Sequence, residues 1–104
     1  MIHRTDNAKK RIIKTLKDHG ASILDLNNNG KVGGPDIAAG IFGRTIPMEI
    51  KTEEIYIDKN GYKHIYRGAL NTDQVDFWST WKGGGGVVRT PEDALKMCGI
   101  IYAR

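Results

Sequence analysis

Cysteine is nearly missing from this chain, with Cys98 its one thiol. An internal disulfide is therefore excluded, which fits a reducing compartment. A lone cysteine in an apolar helical setting reads as a small core residue rather than a nucleophile. Long apolar runs are missing too, and none approaches the roughly 20 residues of a membrane span. The basic N-terminus is not followed by the apolar stretch of a secretory signal. The expectation is a cytoplasmic, intracellular protein with no membrane partner. Internal repeats, linkers and low-complexity tracts are absent. Glutamate does not occur before Glu49.

What is present is ordinary globular material, 39% apolar and 27% charged, a balance that argues against disorder. The 104 residues suffice for one domain, 1–104, with a single small core. A net charge of +4 and a pI near 9.3 favour a polyanionic partner without identifying one.

Residues 6–19 place Ala8, Ile12, Ile13 and Leu16 at helical spacing and spread Lys9, Lys10, Arg11, Lys14 and Lys17 over the remaining surface. Thr5 or Asp6 can cap the start, and Gly20 can close the end. Such a helix either faces nucleic-acid phosphates, with Lys9, Lys10 and Lys14 as contacts, or presents a solvated face. Residues 22–26 read as a short strand with Leu24 and Leu26 on one side. The run from Asp25 to Asp36 matches several ligand positions of an EF-hand-like calcium loop, with Gly30 at its sharp turn. Its twelfth position is Asp rather than Glu, and a short apolar strand follows instead of a helix. A polar Asn/Gly turn between two strands accounts for it better.

Residues 37–41 and 45–51 read as an antiparallel pair turning at Phe42-Gly43-Arg44. Side chains alternate along a strand, so Ile46, Met48 and Ile50 enter a core while Glu49 and Lys51 face the other way. The pairing brings Asp36 beside Glu49, and two adjacent carboxylates call for a cation between them. Hard divalent ions take carboxylate oxygens and keep waters for substrate. The alternative is a surface Asp in a turn and a solvated Glu-Lys pair. Downstream, Asn60-Gly61 signals a hairpin with a type I′ turn, putting Tyr56 opposite Ile65 and Asp58 opposite Lys63. That ribbon is either a DNA-contacting arm, through Lys59, Lys63 and Arg67, or an edge hairpin against the sheet or a partner subunit. Thr72 caps a helix to about Lys82, with Trp78 and Trp81 read as core. Gly83–Gly86 turns the chain into Val87-Val88, and Thr90-Pro91 starts a last helix with Ala94, Leu95 and Cys98 on its apolar stripe.

Pro35-Asp36 followed by Glu49-Ile50-Lys51 resembles the PD-(D/E)XK nuclease superfamily. Thr72-Asp73-Gln74 with its following residues is similar to the glutamine-bearing helix start after the Glu-x-Lys strand in VRR-NUC-like small phage-type nucleases. Gly83–Gly86, Val87-Val88-Arg89 and the helix from Thr90 are similar to that group's closing strand and helix. The resemblance covers roughly residues 30 to 98. It implies an α/β, restriction-endonuclease-like core: a mixed central sheet of about four strands flanked by helices, here with a β-hairpin insertion. It implies a Mg2+-dependent DNA nuclease, an endonuclease or resolvase in which Mn2+ substitutes. Asp36, Glu49 and the Ile50 carbonyl would hold the metal. Lys51 would polarise the attacking water, and Gln74 would support it. DNA, whether duplex, branched or flapped, would be the substrate, and a homodimer would cut both strands. Related nucleases often carry a Glu on the first helix; here Asp6 is the nearest substitute. Two other readings stand beside this one. One is a DNA-binding module of the same fold with weak or no cleavage; the other is a small calcium-binding interaction module.

Overall fold

A computed structural model describes residues 4–26 and 34–101. Its elements follow in the order α1 (Arg4–Asp18), β1 (Ser22–Asp25), β2 (Ile37–Ile41), β3 (Arg44–Ile50), β4 (Glu53–Ile57), β5 (Lys63–Arg67), α2 (Thr72–Thr80), β6 (Gly86–Val88) and α3 (Pro91–Met97). Four strands form one sheet, ordered β1-β2-β3-β6. The first two pairings are antiparallel and β3–β6 is parallel. β4 and β5 form a separate antiparallel ribbon. The chain is thus a mixed α/β fold, as expected at that level.

Period-two alternation sorts the sheet. Ile37, Ala39, Ile46, Met48 and Ile50 face Ala8, Ile12 and Leu16 of α1 and Ala94, Leu95 and Cys98, all buried in one core. The α1 residues recur at four-residue spacing and so share a face. After α1, Gly20 takes φ +94°, a left-handed end that a residue without Cβ adopts at little cost. Thr90 caps α3 in a capping box with Asp93, with Pro91 at its first turn. These features follow the sequence pattern.

Several do not. Leu24 is 60% exposed, and Ile23 packs on the core instead. The register explains it: Ile23 lies opposite Ala39, a core residue, and Leu24 opposite Ala38 on the other face. The ribbon register also differs by one residue. Tyr56 pairs with His64, Ile55 with Ile65 and Ile57 with Lys63. Asp58 causes the shift, because its Oδ1 accepts the amides of Asn60 and Tyr62. Gly61 N–H donates to the Asp58 carbonyl, and Gly61 takes φ +84°. The result is a three-residue loop with a bulge at Gly61 rather than a type I′ turn. Asp58 then meets His64 Nε2 at 2.7 Å, not Lys63, and this holds the Asp58 carboxyl below its usual pKa.

The cap of helix α2 lies one residue before the expected Thr72. Asn71 is the N-cap, its side chain accepting from Gln74 N while Gln74 Oε1 accepts from Asn71 N–H. No α2 residue is fully buried. Trp81 lies beyond the helix, 45% exposed, stacked on Phe77 at 5.4 Å and donating to Gly84 O. The expected core position of Trp81 is therefore not met, because the helix ends at Thr80 before its stripe can reach the sheet.

The loop from α2 to β6 passes close over β3. A Cβ at Gly85, where φ is +94°, would lie 2.0 Å from the Pro47 carbonyl oxygen. Neither atom belongs to a flexible side chain. Gly85→Ala is expected to lower stability by about 3 kcal/mol or more through backbone strain and overlap. Gly84→Ala, with open space around that position, is the control and should be nearly neutral. Urea unfolding midpoints of the two variants check this.

Candidate functional site

The second face of the sheet carries the sequence-predicted site. Since Ile37 pairs with Met48, the next position back, Asp36, lies opposite Glu49, and Asp36 N–H donates to Met48 O at 2.9 Å. The expected juxtaposition of the two carboxyls is present. Asp36 Oδ2 accepts the Ile50 amide at 2.8 Å, beyond the point where β2 pairing gives out. On the other side, β3 pairs in parallel with β6, Glu49 to Val87 and Ile50 to Val88, and Lys51 N–H donates to Val88 O. The N–H and C=O of one strand residue point to the same edge. Ile50 therefore turns both toward the edge where Asp36 accepts its amide.

Glu49 differs from the expected substrate-facing acid: it is 2% exposed. Burial pushes its pKa up to about 8, the hydrogen bond and charge of Asp36 add to this, and the Lys51 charge and the Trp78 indole N–H oppose it. Glu49 Oε1 and Trp78 Nε1 are nevertheless both buried without a hydrogen-bond partner among the described residues. Such orphaned groups cost on the order of 1–3 kcal/mol each. Trp78, on α2, is the residue that sequence reasoning missed. Expected as core, it lies near enough for its indole N–H to lower the Glu49 pKa, yet no hydrogen bond joins the two. An aromatic two turns past a capped helix start is the only signal that points to it.

The remaining candidates scatter. Lys51 sits at the end of β3, half-buried, close enough for its charge to act on Glu49. Gln74 completes the α2 capping box, its Oε1 accepting from Asn71 N–H. Lys9 pairs with Asp25 at 2.9 Å and Lys14 with Asp18 at 2.7 Å. Arg67 pairs with Glu53 at 2.9 Å across the ribbon. Lys10, Lys59 and Lys63 are exposed. Asp6 falls in the first turn of α1, and its side chain is outside the described part. Residues 27–33 of the calcium-loop reading are likewise outside the described residues. After Asp36 the chain enters β2 and not a helix.

The carboxyl pair, in which Glu49 Oε1 is buried without a partner, and the Ile50 carbonyl are the candidate donors for a divalent cation. Among the described residues no group of three or more His, Cys, Asp or Glu side chains is positioned to hold one. Two carboxylates and a carbonyl leave other coordination positions to water and substrate, the habit of Mg2+ rather than of a caged ion. The donor set therefore fits. Compared with family models, curated proteins and solved structures, the chain matches none. The functional reading rests on this geometry.

Proposed function

We propose that the protein is a Mg2+-dependent nuclease hydrolysing DNA phosphodiester bonds, with a restriction-endonuclease-like arrangement of β2, β3 and β6. One observation carries it: Asp36 and the buried, orphaned Glu49 oppose each other on paired strands with Lys51 two residues on. Asp36, Glu49 and the Ile50 carbonyl would hold the ion. Bound there, a Mg2+ ion supplies Lewis-acid stabilisation of charge at the phosphate. Asp36 keeps its place through the Ile50 amide. Glu49 would have to lose its proton to hold the cation. Lys51 holds a positive charge beside the reacting phosphate, where negative charge grows. Trp78 excludes water from one side of Glu49.

The second reading, a DNA-binding module with weak or no cleavage, is favoured by the two-carboxylate donor set. The ribbon's role as a DNA arm is weakened by the Arg67–Glu53 pair, and exposed Ile55, Ile57 and Ile65 suit a subunit contact in a homodimer. A panel of duplex, single strand, flap and four-way junction, incubated with Mg2+ or Mn2+, tests the proposal. Cleavage by the wild type that is lost in Asp36→Ala and in chelator supports it. Tight binding with no cleavage of any substrate assigns the second reading.

A further inference from the structure

The cations of α1 are not equivalent. Lys9 and Lys14 are neutralised by Asp25 and Asp18. Lys10 and Arg11 have no acidic partner among the described residues, and both line a cleft of about 520 Å³. Its other walls are Asn7 of α1, Thr52 and Glu53 after β3, and Arg89 after β6. Arg89 is fixed by donating from Nη2 to Gly68 O at 2.9 Å, and Gly68 N–H donates to Thr52 O, so the base of the ribbon and the third cation are tied together. The one acid in the lining, Glu53, is held by Arg67 Nε. Three cations thus converge on an open cleft whose only carboxylate is already neutralised.

The position matters as much as the charge. β3 and β6 run parallel, and both strands deliver their carboxyl ends here: Thr52 follows β3 and Arg89 follows β6. Clefts outside the carboxyl ends of parallel strands are the usual binding place in open α/β sheets. The Asp36–Glu49 pair sits at the same end of β3 but on the opposite face of the sheet. The cleft is therefore a separate site, and it is larger than one phosphate needs.

We infer that the cleft between α1, Thr52 and Arg89 binds the phosphodiester backbone of a nucleic-acid strand, with Lys10, Arg11 and Arg89 as its phosphate contacts and Thr52 and Asn7 as neutral donors. The choice of a polynucleotide over a free phosphate rests on the proposed function; the anion site itself does not.

The test is binding of a 12-nucleotide oligothymidylate and of inorganic phosphate in chelator, followed by amide chemical shifts and fluorescence anisotropy at several salt concentrations. Lys10→Ala with Arg11→Ala is expected to weaken oligonucleotide binding about tenfold or more at low salt. The log-log salt slope should fall by about 0.7 for each lost contact. A double variant with the same change of charge elsewhere, Lys17→Ala with Lys96→Ala, should weaken binding less than threefold. Shifts in wild type should concentrate at residues 7–11, Thr52 and Arg89. Equal weakening in the two double variants, or shifts confined to the ribbon, overturns the site. Phosphate that saturates the cleft without being displaced by the oligonucleotide overturns the polynucleotide assignment. Strand binding at the cleft with no cleavage of any DNA leaves this site standing and removes the nuclease reading; cleavage with an unaffected Lys10/Arg11 variant does the reverse.

Discussion

Glu49→Gln should abolish metal-dependent cleavage and, at pH 9 without metal, fold more stably than the wild type. Both results come from one property. The buried Glu49 carboxyl has its pKa raised from 4.5 to about 8, so the folded state holds a proton that the unfolded state releases. An acid raised in this way costs nothing below pH 4.5, where both states are protonated. Stability then falls as pH rises from 4.5 toward 8, and the loss is complete above the folded pKa. The cost at pH 9 is on the order of a few kcal/mol. Glutamine has the shape of the protonated acid and no charge to bury, so the variant's thermal midpoint should be nearly flat across this window. At pH 5 the two proteins should match. A divalent cation reverses the ranking, because it binds the ionised acid and must displace the proton. Apparent Mg2+ affinity of the wild type should therefore rise up to about tenfold per pH unit until near pH 8, and Glu49→Gln should show no such dependence. The measurements are thermal unfolding from pH 5 to 9 with and without Mg2+, calorimetric Mg2+ titration, and cleavage. A variant that still cleaves at the wild-type rate, or wild-type stability that is flat from pH 5 to 9, sinks the assignment of Glu49.

The burial behind that prediction was the least legible feature of the sequence. A Glu two residues from a Lys at the end of an amphipathic strand reads as a solvated face, and the alternation of Ile46, Met48 and Ile50 says nothing about what covers the other side. The cover comes from Trp78, 29 residues on in sequence, on a helix with no fully buried residue. No local period announces that contact. The pairing of Asp36 with Glu49 was legible because it needs only local information: two apolar segments and a two-residue turn. That turn itself is strained, since Phe42 takes φ +53° beside Gly43 at +73°, a backbone most residues avoid. Strand register failed where a side chain intervened. Asn60-Gly61 suggested a two-residue loop, and the Asp58 carboxylate, by accepting two loop amides, selected the longer one. Helix ends were read well when the capping residue stood alone, as at Thr90. They were misplaced at α2, where Asn71 and Thr72 compete for the cap and Gln74 completes the box for Asn71. That box uses the Gln74 carbonyl oxygen at the helix start.

Lys51→Ala should keep Mg2+ and DNA binding yet cleave slower by about 10²-fold or more, the scale of losing one preorganised electrostatic stabiliser. Lys51 follows β3, fixed by its own amide to Val88 O at 3.1 Å, on the same face as Glu49. A protonated amine cannot ligate a cation, so its loss leaves the donor set of Asp36, Glu49 and the Ile50 carbonyl whole. Its charge matters most when negative charge gathers on the phosphate, and an interaction that strengthens toward the transition state lowers turnover more than ground-state binding. A second effect separates this role from a surface lysine. The Lys51 charge is one of the influences holding the Glu49 pKa down, so its removal should raise that pKa further and move the pH dependence of Mg2+ binding upward. Lys51→Arg keeps the charge and should retain the wild-type pH midpoint while recovering only part of the rate, because a planar guanidinium places its charge differently. Single-turnover cleavage beside pH-resolved Mg2+ titration reads both effects. A near wild-type rate together with an unmoved midpoint in Lys51→Ala would make Lys51 an ordinary surface residue, and the active-site reading of β3 would fail with it.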